Sequence, residues 1–264
     1  MRRTAGAWLI AVGVLAPLLP LLLWSVSSSW RYPDLFPVRL TGRGWRLLVD
    51  PHSEVLTGLA TSLTIGLSVT VLAVAIGMPA GRALGLYEFR GKPVVRFLLL
   101  APVLVPGLAV LLGTQVVFLR LGLADSAAGV VLVQLIPTVP YVTMVLASAF
   151  ENFDVRYEQQ ARLLGAGPGR AFFQVTVPSL TPALAVAGYF AFVISWSDYV
   201  LTFLIGGGQV KTLPLLLFAY AQGTDLTQAA AVAVLLLTPP LVLLAVLARR
   251  LPDQPGPVIG LGRL

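Results

Sequence analysis

Six stretches of this chain contain no Asp, Glu, Lys or Arg, and each is long enough to cross a lipid bilayer: Thr4 to Trp30, Val55 to Gly81, Phe97 to Leu119, Ser126 to Phe150, Ala171 to Ser197 and Leu226 to Ala248. A helix needs about 20 predominantly apolar residues to span the hydrocarbon core. One uniformly apolar helix can be buried in a soluble protein, but six such runs in 264 residues leave almost nothing to form a polar exterior. The composition agrees, with 57% hydrophobic and 11% charged residues, against roughly 25% charged in an average soluble domain. The sequence therefore predicts an all-α membrane protein: a bundle of about six transmembrane helices, spanning approximately 7–26, 56–81, 97–119, 127–149, 182–205 and 227–248, in a single domain over residues 1–264.

The first window follows Arg2 and Arg3 and runs to the small residues Ser25 to Ser29, as a signal peptide would. Its apolar stretch from Ala5 to Val26 is longer than the roughly 7–15 residues of a cleaved segment, so a retained anchor is expected, kinked at Pro17 and Pro20. Orientation follows from the excess of Lys and Arg on the cytoplasmic side. With the N-terminus inside, the cytoplasmic set is Arg2, Arg3, Arg82, Arg90, Lys92, Arg96, Arg156, Arg162, Arg170, Arg249, Arg250 and Arg263. The outer set is half as large: Arg31, Arg39, Arg43, Arg46, Arg120 and Lys211. Both termini are expected in the cytoplasm of a multi-pass bacterial or archaeal inner-membrane protein. The net charge of +7 thus reflects topology, since no basic cluster interleaved with aromatics points to nucleic acid.

Pro102, Pro106, Gly107, Pro137 and Pro140 predict that the third and fourth spans are broken or bent. Between the fourth and fifth spans, residues 151–181 read as a cytoplasmic helix-turn-helix. Asp154 is placed as its N-cap, Glu158 and Arg162 are spaced as an i,i+4 ion pair, and Ala161 and Leu164 share a face. Gly165, Gly167, Pro168 and Gly169 end the first helix, and Phe172, Phe173 and Val175 lie on the second before Pro178 and Pro182. By itself this is either an interfacial surface helix or a docking element.

Gln159-Gln160-Ala161, Gly165 and Pro178 fall at the spacing of the EAA signature of ABC importer permeases, and Ala161-Arg-Leu-Leu-Gly-Ala166 followed by Val175-Thr-Val-Pro178 resembles it closely. The chain departs from the pattern where Gln159 stands for the usual Glu and Gln160 for Ala, with Glu158 one position earlier. The resemblance extends to Thr61-Ser62, to Leu99–Pro106, and to Ser195–Gly207 with Lys211–Pro214, where it is nearest the polyamine, iron and thiamine branch. It implies that 151–181 is a coupling loop to cytoplasmic ATPase subunits through Glu158, Gln159, Gln160, Ala161, Leu164, Gly165, Ala166, Phe172, Phe173 and Pro178. It further implies a second permease chain, identical or homologous, and an extracytoplasmic solute-binding protein. No cofactor belongs to this chain, ATP and Mg being held by the partner ATPase.

Asp198 is the sole charge between Arg170 and Lys211. Either it lines a translocation path with Ser195, Trp196, Ser197 and Tyr199 and favours cationic cargo, or it caps a helix end or bonds to a neighbouring helix. Gln115 and Gln134 are expected as interhelical hydrogen-bonding groups. The chain has one histidine, His52, and no cysteine, which leaves no metal ligand set and no catalytic residue of its own. A nucleotide-binding Gly-x-x-x-x-Gly-Lys-Ser/Thr loop is absent from the sequence. A secondary, ion-coupled transporter is the alternative, but it would carry internal repeats and several mid-membrane ionisable groups.

Overall fold

The computed structural model describes residues 18–28, 39–50, 52–104 and 107–250, with Gly13, Ala16, Trp30 and Pro37. Most of the first span before Leu18, and Arg2, Arg3, Pro17, Arg31, Pro106 and Arg263, lie outside the described residues. Helices run as α1 (Leu18–Ser25), α2 (Arg43–Arg46), α3 (Val55–Leu86), α4 (Lys92–Leu104), α5 (Gly107–Arg120), α6 (Ala127–Glu151) and α7 (Arg156–Leu163). They continue as α8 (Pro168–Ala171), a π turn (Phe172–Thr176), α9 (Val177–Ser179), α10 (Thr181–Trp196), α11 (Val200–Gly206), α12 (Leu213–Gln222) and α13 (Leu226–Arg250).

Three of these are long and apolar enough to cross a bilayer unaided: α3, α6 and α13. The break expected in the third span at Pro106 lies outside the described residues; within them Pro102 sits inside α4 and Gly107 opens α5. The fourth is not broken: Pro137 and Pro140 sit inside the continuous α6. Proline is tolerated in a spanning helix when neighbours hold the segment, and Pro140 is itself buried. The fifth span, predicted continuous over 182–205, is interrupted at Ser197–Tyr199 between α10 and α11. α12 was not predicted; its apolar run is too short to cross.

The described residues group into two compact units. In the first, made from residues up to Ser62 and from Lys211 to Leu241, Leu213 donates its N–H to Ser62 Oγ (2.8 Å) and Thr227 donates its hydroxyl to the Ser27 carbonyl (2.6 Å). Lys211 pairs with Glu54 at 2.6 Å and Arg43 with Asp225 at 2.9 Å.

The second unit, Leu63–Val210 with the chain from Val242, contains loop 151–181 and Asp198. One apolar cluster joins Ile65, Val69, Val130, Val133, Ile205 and Val210; another joins Ala73, Val142, Leu146, Ala187 and Ala191. The approach of α3 to α6 depends on Gly77, Gly81 and Gly85, one turn apart on a single face. A Cβ at Gly77 would meet Val142 Cγ1 at 2.7 Å, at Gly81 Leu146 Cβ at 2.8 Å, and at Gly85 both the Ala147 carbonyl and Phe150 Cβ at 2.5 Å. Small residues at such spacing are how membrane helices reach close van der Waals contact without a hydrophobic driving force between them.

Replacing Gly85 by Ala is expected to destabilise the protein by about 2 kcal/mol, since the added carbon meets backbone as well as side chain and cannot be relieved by a rotamer change. Thermal unfolding in detergent checks this. Gly113→Ala on α5, where no atom lies within 4 Å of the added carbon, is expected to leave the midpoint unchanged or slightly higher.

Candidate functional site

Residues 151–181 fold as an elbow of two helices. At its start Asp154 accepts the Arg156 N–H at 2.9 Å, so its carboxylate serves the first turn as expected, although α7 begins one residue later than a strict N-cap at Asp154 requires. At its end Gly165 donates to the Arg162 carbonyl (3.0 Å) and Ala166 to the Ala161 carbonyl (3.0 Å). This paired closure is a Schellman cap, and it needs a left-handed residue at the position Gly165 occupies, where φ is +89°. Pro168 then opens α8 at the first-turn position where a missing N–H costs nothing. The path from Pro168 to Ser179 meets α10 at a bend of 75°.

Glu158 is the sole buried residue of α7, with 3% of its side chain exposed. Arg82 Nη2, from the last turns of α3, donates to Oε2 at 2.9 Å and Oε1 at 3.1 Å. Arg162 donates to Oε1 at 2.6 Å, and Thr176 in the π turn donates its hydroxyl to Oε2 at 3.1 Å. The four acceptor sites of the carboxylate are thereby filled. Burial pushes the Glu158 carboxyl up, but the hydrogen bonds from Arg82, Arg162 and Thr176, with the charge of Arg82, outweigh it and hold the group below its ordinary 4.5. The Arg82 guanidinium also lies 5.3 Å from the centroid of the Phe172 ring.

The other predicted coupling residues divide between this anchored face and an open one. Gln159, Gln160, Gly165, Phe173 and Pro178 are exposed, whereas Ala161, Ala166 and Phe172 are half-buried. Leu164 was expected to share a helical face with Ala161; it is instead the capping residue, and it projects with Leu163 at 89% and 87% exposure. Arg82 and Thr176 were missed by the sequence reading. Arg82 stands beside Gly81 in the row of glycines four residues apart, and that spacing is the signal that marks its helix face as a contact surface.

Around Asp198 the structure brings together groups from three helices. Thr202 donates its N–H and its hydroxyl to Asp198 Oδ2, each at 2.9 Å, and Gln134 Nε2 donates to the same oxygen at 3.1 Å. Leu201 N–H reaches Oδ1 at 3.3 Å. Ser195 donates to Gln134 Oε1 at 2.5 Å. Ser195 and Trp196 are buried, the latter stacked on Phe192 with centroids 5.3 Å apart. Ser197, Asp198 and Tyr199 border an open depression of about 780 Å³ whose other walls include Tyr141, Phe190 and Ile194. His52 is exposed beside Asp50, its backbone N–H bonded to Oδ1 at 2.9 Å.

A chain of apolar helices with an interrupted fifth span and a projecting helical elbow defines a polytopic helical membrane subunit. Residues 73–254 match the family described as binding-protein-dependent transport system inner membrane component, and the chain belongs to that family. The molybdenum transport system permease protein ModB of Mycobacterium tuberculosis is 31% identical over 255 residues, covering 90% of each chain. The molybdate/tungstate permease WtpB of Pyrococcus furiosus is 31% identical over 73% of this chain and 76% of its own length. The spermidine/putrescine permease PotC of Escherichia coli K12 is 27% identical over 75% of each. A crystal structure of a bacterial ABC transporter involved in the import of the acidic polysaccharide alginate superposes with a TM-score of 0.73 over 95% of both chains, at 19% identity, a likeness of fold. This chain is thus a permease subunit of an ABC importer, a multi-pass inner-membrane transport component working with ATPase and binding-protein partners.

Glu158→Gln is expected to destabilise the protein by about 3 kcal/mol, the low end for breaking a buried ion pair, because Arg82 keeps some contact with solvent. Because the folded carboxyl titrates below its ordinary 4.5, its contribution is complete above that pH and is lost as pH falls through the lowered value. Thermal midpoints measured between neutral and acid pH are expected to show a steeper acid decline for wild type than for Glu158→Gln.

Proposed function

We propose that loop 151–181 docks onto a cytoplasmic ATPase subunit, and that this chain pairs with a second permease chain, identical or homologous, to form the translocation path. The observation that carries the reading is the tip of the elbow, where Leu163 and Leu164 project into solvent at 87% and 89% exposure from a helix anchored by one buried carboxylate. Adjacent large apolar side chains standing free of a surface are suited to burial against a partner. Arg162 beside them and Arg170 on α8 supply a polar rim.

With the elbow cytoplasmic, the distribution of Lys and Arg puts both termini on the same side. The solute-binding protein then delivers cargo at the opposite face. ATP and Mg are held by the ATPase subunits, whose closure swings the elbows and switches the path between inward-open and outward-open. An ion-coupled carrier has no use for the projecting tip, and the relatives named above carry transport-system permease names.

For cargo, we infer a tetrahedral oxyanion of the molybdate class. The two relatives named for molybdenum or molybdate/tungstate are each 31% identical, one of them over 90% of the chain, against 27% over 75% for the polyamine permease. The Asp198 carboxylate, the group that favoured a cation, is occupied by Gln134, Leu201 and Thr202.

Leu164→Asp and Gly165→Asp are each expected to insert normally and lose the ATPase subunit during co-purification in detergent. Retention of the ATPase by both variants, or failure of wild type to bind it, overturns the docking reading. In the reconstituted importer, ATP turnover is expected to rise with binding protein plus molybdate and not with binding protein plus spermidine; the reverse result overturns the cargo assignment alone.

A further inference from the structure

We propose that Glu158 is the joint through which movement of the elbow reaches the membrane helices, with Arg82 as its seat on α3; this rests on the reading that the elbow docks the ATPase. Beside its packing on the π turn and α8 within the elbow, helix α7 has two chain connections and one buried side chain. Upstream, Glu151 ends α6 and residues 152–155 form a short non-helical connection with turns at Asn152 and Val155. Downstream, residues 164–167 form the Schellman turn at Gly165, which is followed by the short α8. Both chain connections are turns, and turns yield when pushed. The third attachment is the Glu158 carboxylate, the one group of α7 that is buried.

That attachment is stiff at both ends. On the elbow side the carboxylate is bonded by Arg162 of the same helix and by Thr176 of the following π turn, so α7 and the second helix of the elbow move as one piece. On the membrane side it is bonded twice by Arg82. Arg82 stands between Gly81 and Gly85, whose missing side chains hold α3 against Leu146, Ala147 and Phe150 of α6. A load applied at Leu163 and Leu164 therefore passes through Glu158 to the packed α3–α6 pair. The Phe172 ring beside the Arg82 guanidinium limits water access on one side, and a charge-assisted bond in such surroundings is strong and directional. Glu158 is on this account a positioning residue, distinct from the apolar tip that meets the partner.

The test uses the complete importer in proteoliposomes: this chain, its partner permease, the ATPase subunits and the binding protein. The readout is the ratio of ATP turnover with binding protein to turnover without it. Loss of folded complex lowers both turnovers together and leaves the ratio unchanged, so a merely structural role does not move it. Glu158→Gln is expected to retain the ATPase subunit on co-purification while its ratio falls by about tenfold, with Glu158→Asp recovering part of the loss. Thr176→Val, which removes one hydrogen bond at nearly constant shape, is expected to lower the ratio by about twofold. An intact complex with an unchanged ratio in Glu158→Gln overturns the joint. Loss of the ATPase subunit from Glu158→Gln also overturns it, by placing Glu158 in the docking face. If Glu158→Gln does not fold, an unchanged ratio in Thr176→Val decides against the joint. Failure of wild type to hold the ATPase subunit refutes the docking reading instead.

Discussion

The contact of α3 with α6 through Gly77, Gly81 and Gly85 is the constraint from which the functional region follows. In lipid, apolar side chains gain nothing by leaving the bilayer for each other, so helices associate by fit, and fit at this seam depends on three absent side chains. Between the last two glycines of the seam stands the arginine that meets the elbow. A guanidinium carried on a loosely packed helix would have to be ordered anew each time it met a carboxylate; Arg82 is carried on a helix already fixed. The ion pair with Glu158 consequently joins two pre-positioned elements, which is the condition under which a charged pair is worth more than the small net contribution of surface salt bridges.

The elbow shows how local chain chemistry and tertiary contact divide the work. Its turn is fully local, because a Schellman cap with a left-handed glycine and a proline at the next helix start specify the reversal from four residues. Its attachment is wholly non-local, since the partner of Glu158 on α3 is 76 residues away. This is why the helix-turn-helix could be read from sequence and its anchor could not. The sequence spacing correctly paired Glu158 with Arg162, but an i,i+4 pair on an exposed helix is a weak interaction, and nothing in that spacing announced that the same carboxylate is buried by Arg82 and Thr176.

The spans were legible where charge-free length decides them, as for α3, α6 and α13. They were less so where a break decides them. Pro102 leaves α4 continuous, and Pro137 and Pro140 leave α6 continuous, because proline lowers the cost of a break without requiring one. The break at Ser197–Tyr199 has no proline or glycine. It is sustained by Asp198, whose carboxylate takes the N–H groups of Leu201 and Thr202 at the start of α11 as a cap would. A carboxylate inside a predicted span suggested a path; its capping geometry became visible only when α11 was seen as a separate helix.

That geometry also limits what Asp198 can do during transport. Its Oδ2 accepts from Gln134 and Thr202, and Gln134 is 2% exposed and is held in turn by Ser195. Turning the carboxylate toward a passing solute would leave the N–H groups of Leu201 and Thr202 at the start of α11 without this acceptor, at a cost of about 1–3 kcal/mol for each group, and would reduce Gln134 Nε2 to its 2.9 Å bond to Thr202 Oγ1. A cation could compensate by charge, but a tetrahedral oxyanion offers the wrong sign and would instead be repelled. For an anionic cargo the network therefore works best closed: with Asp198 turned into the protein and its charge partly neutralised by four donated hydrogen bonds, the wall of the depression presents Ser197 and Tyr199 more than a bare carboxylate.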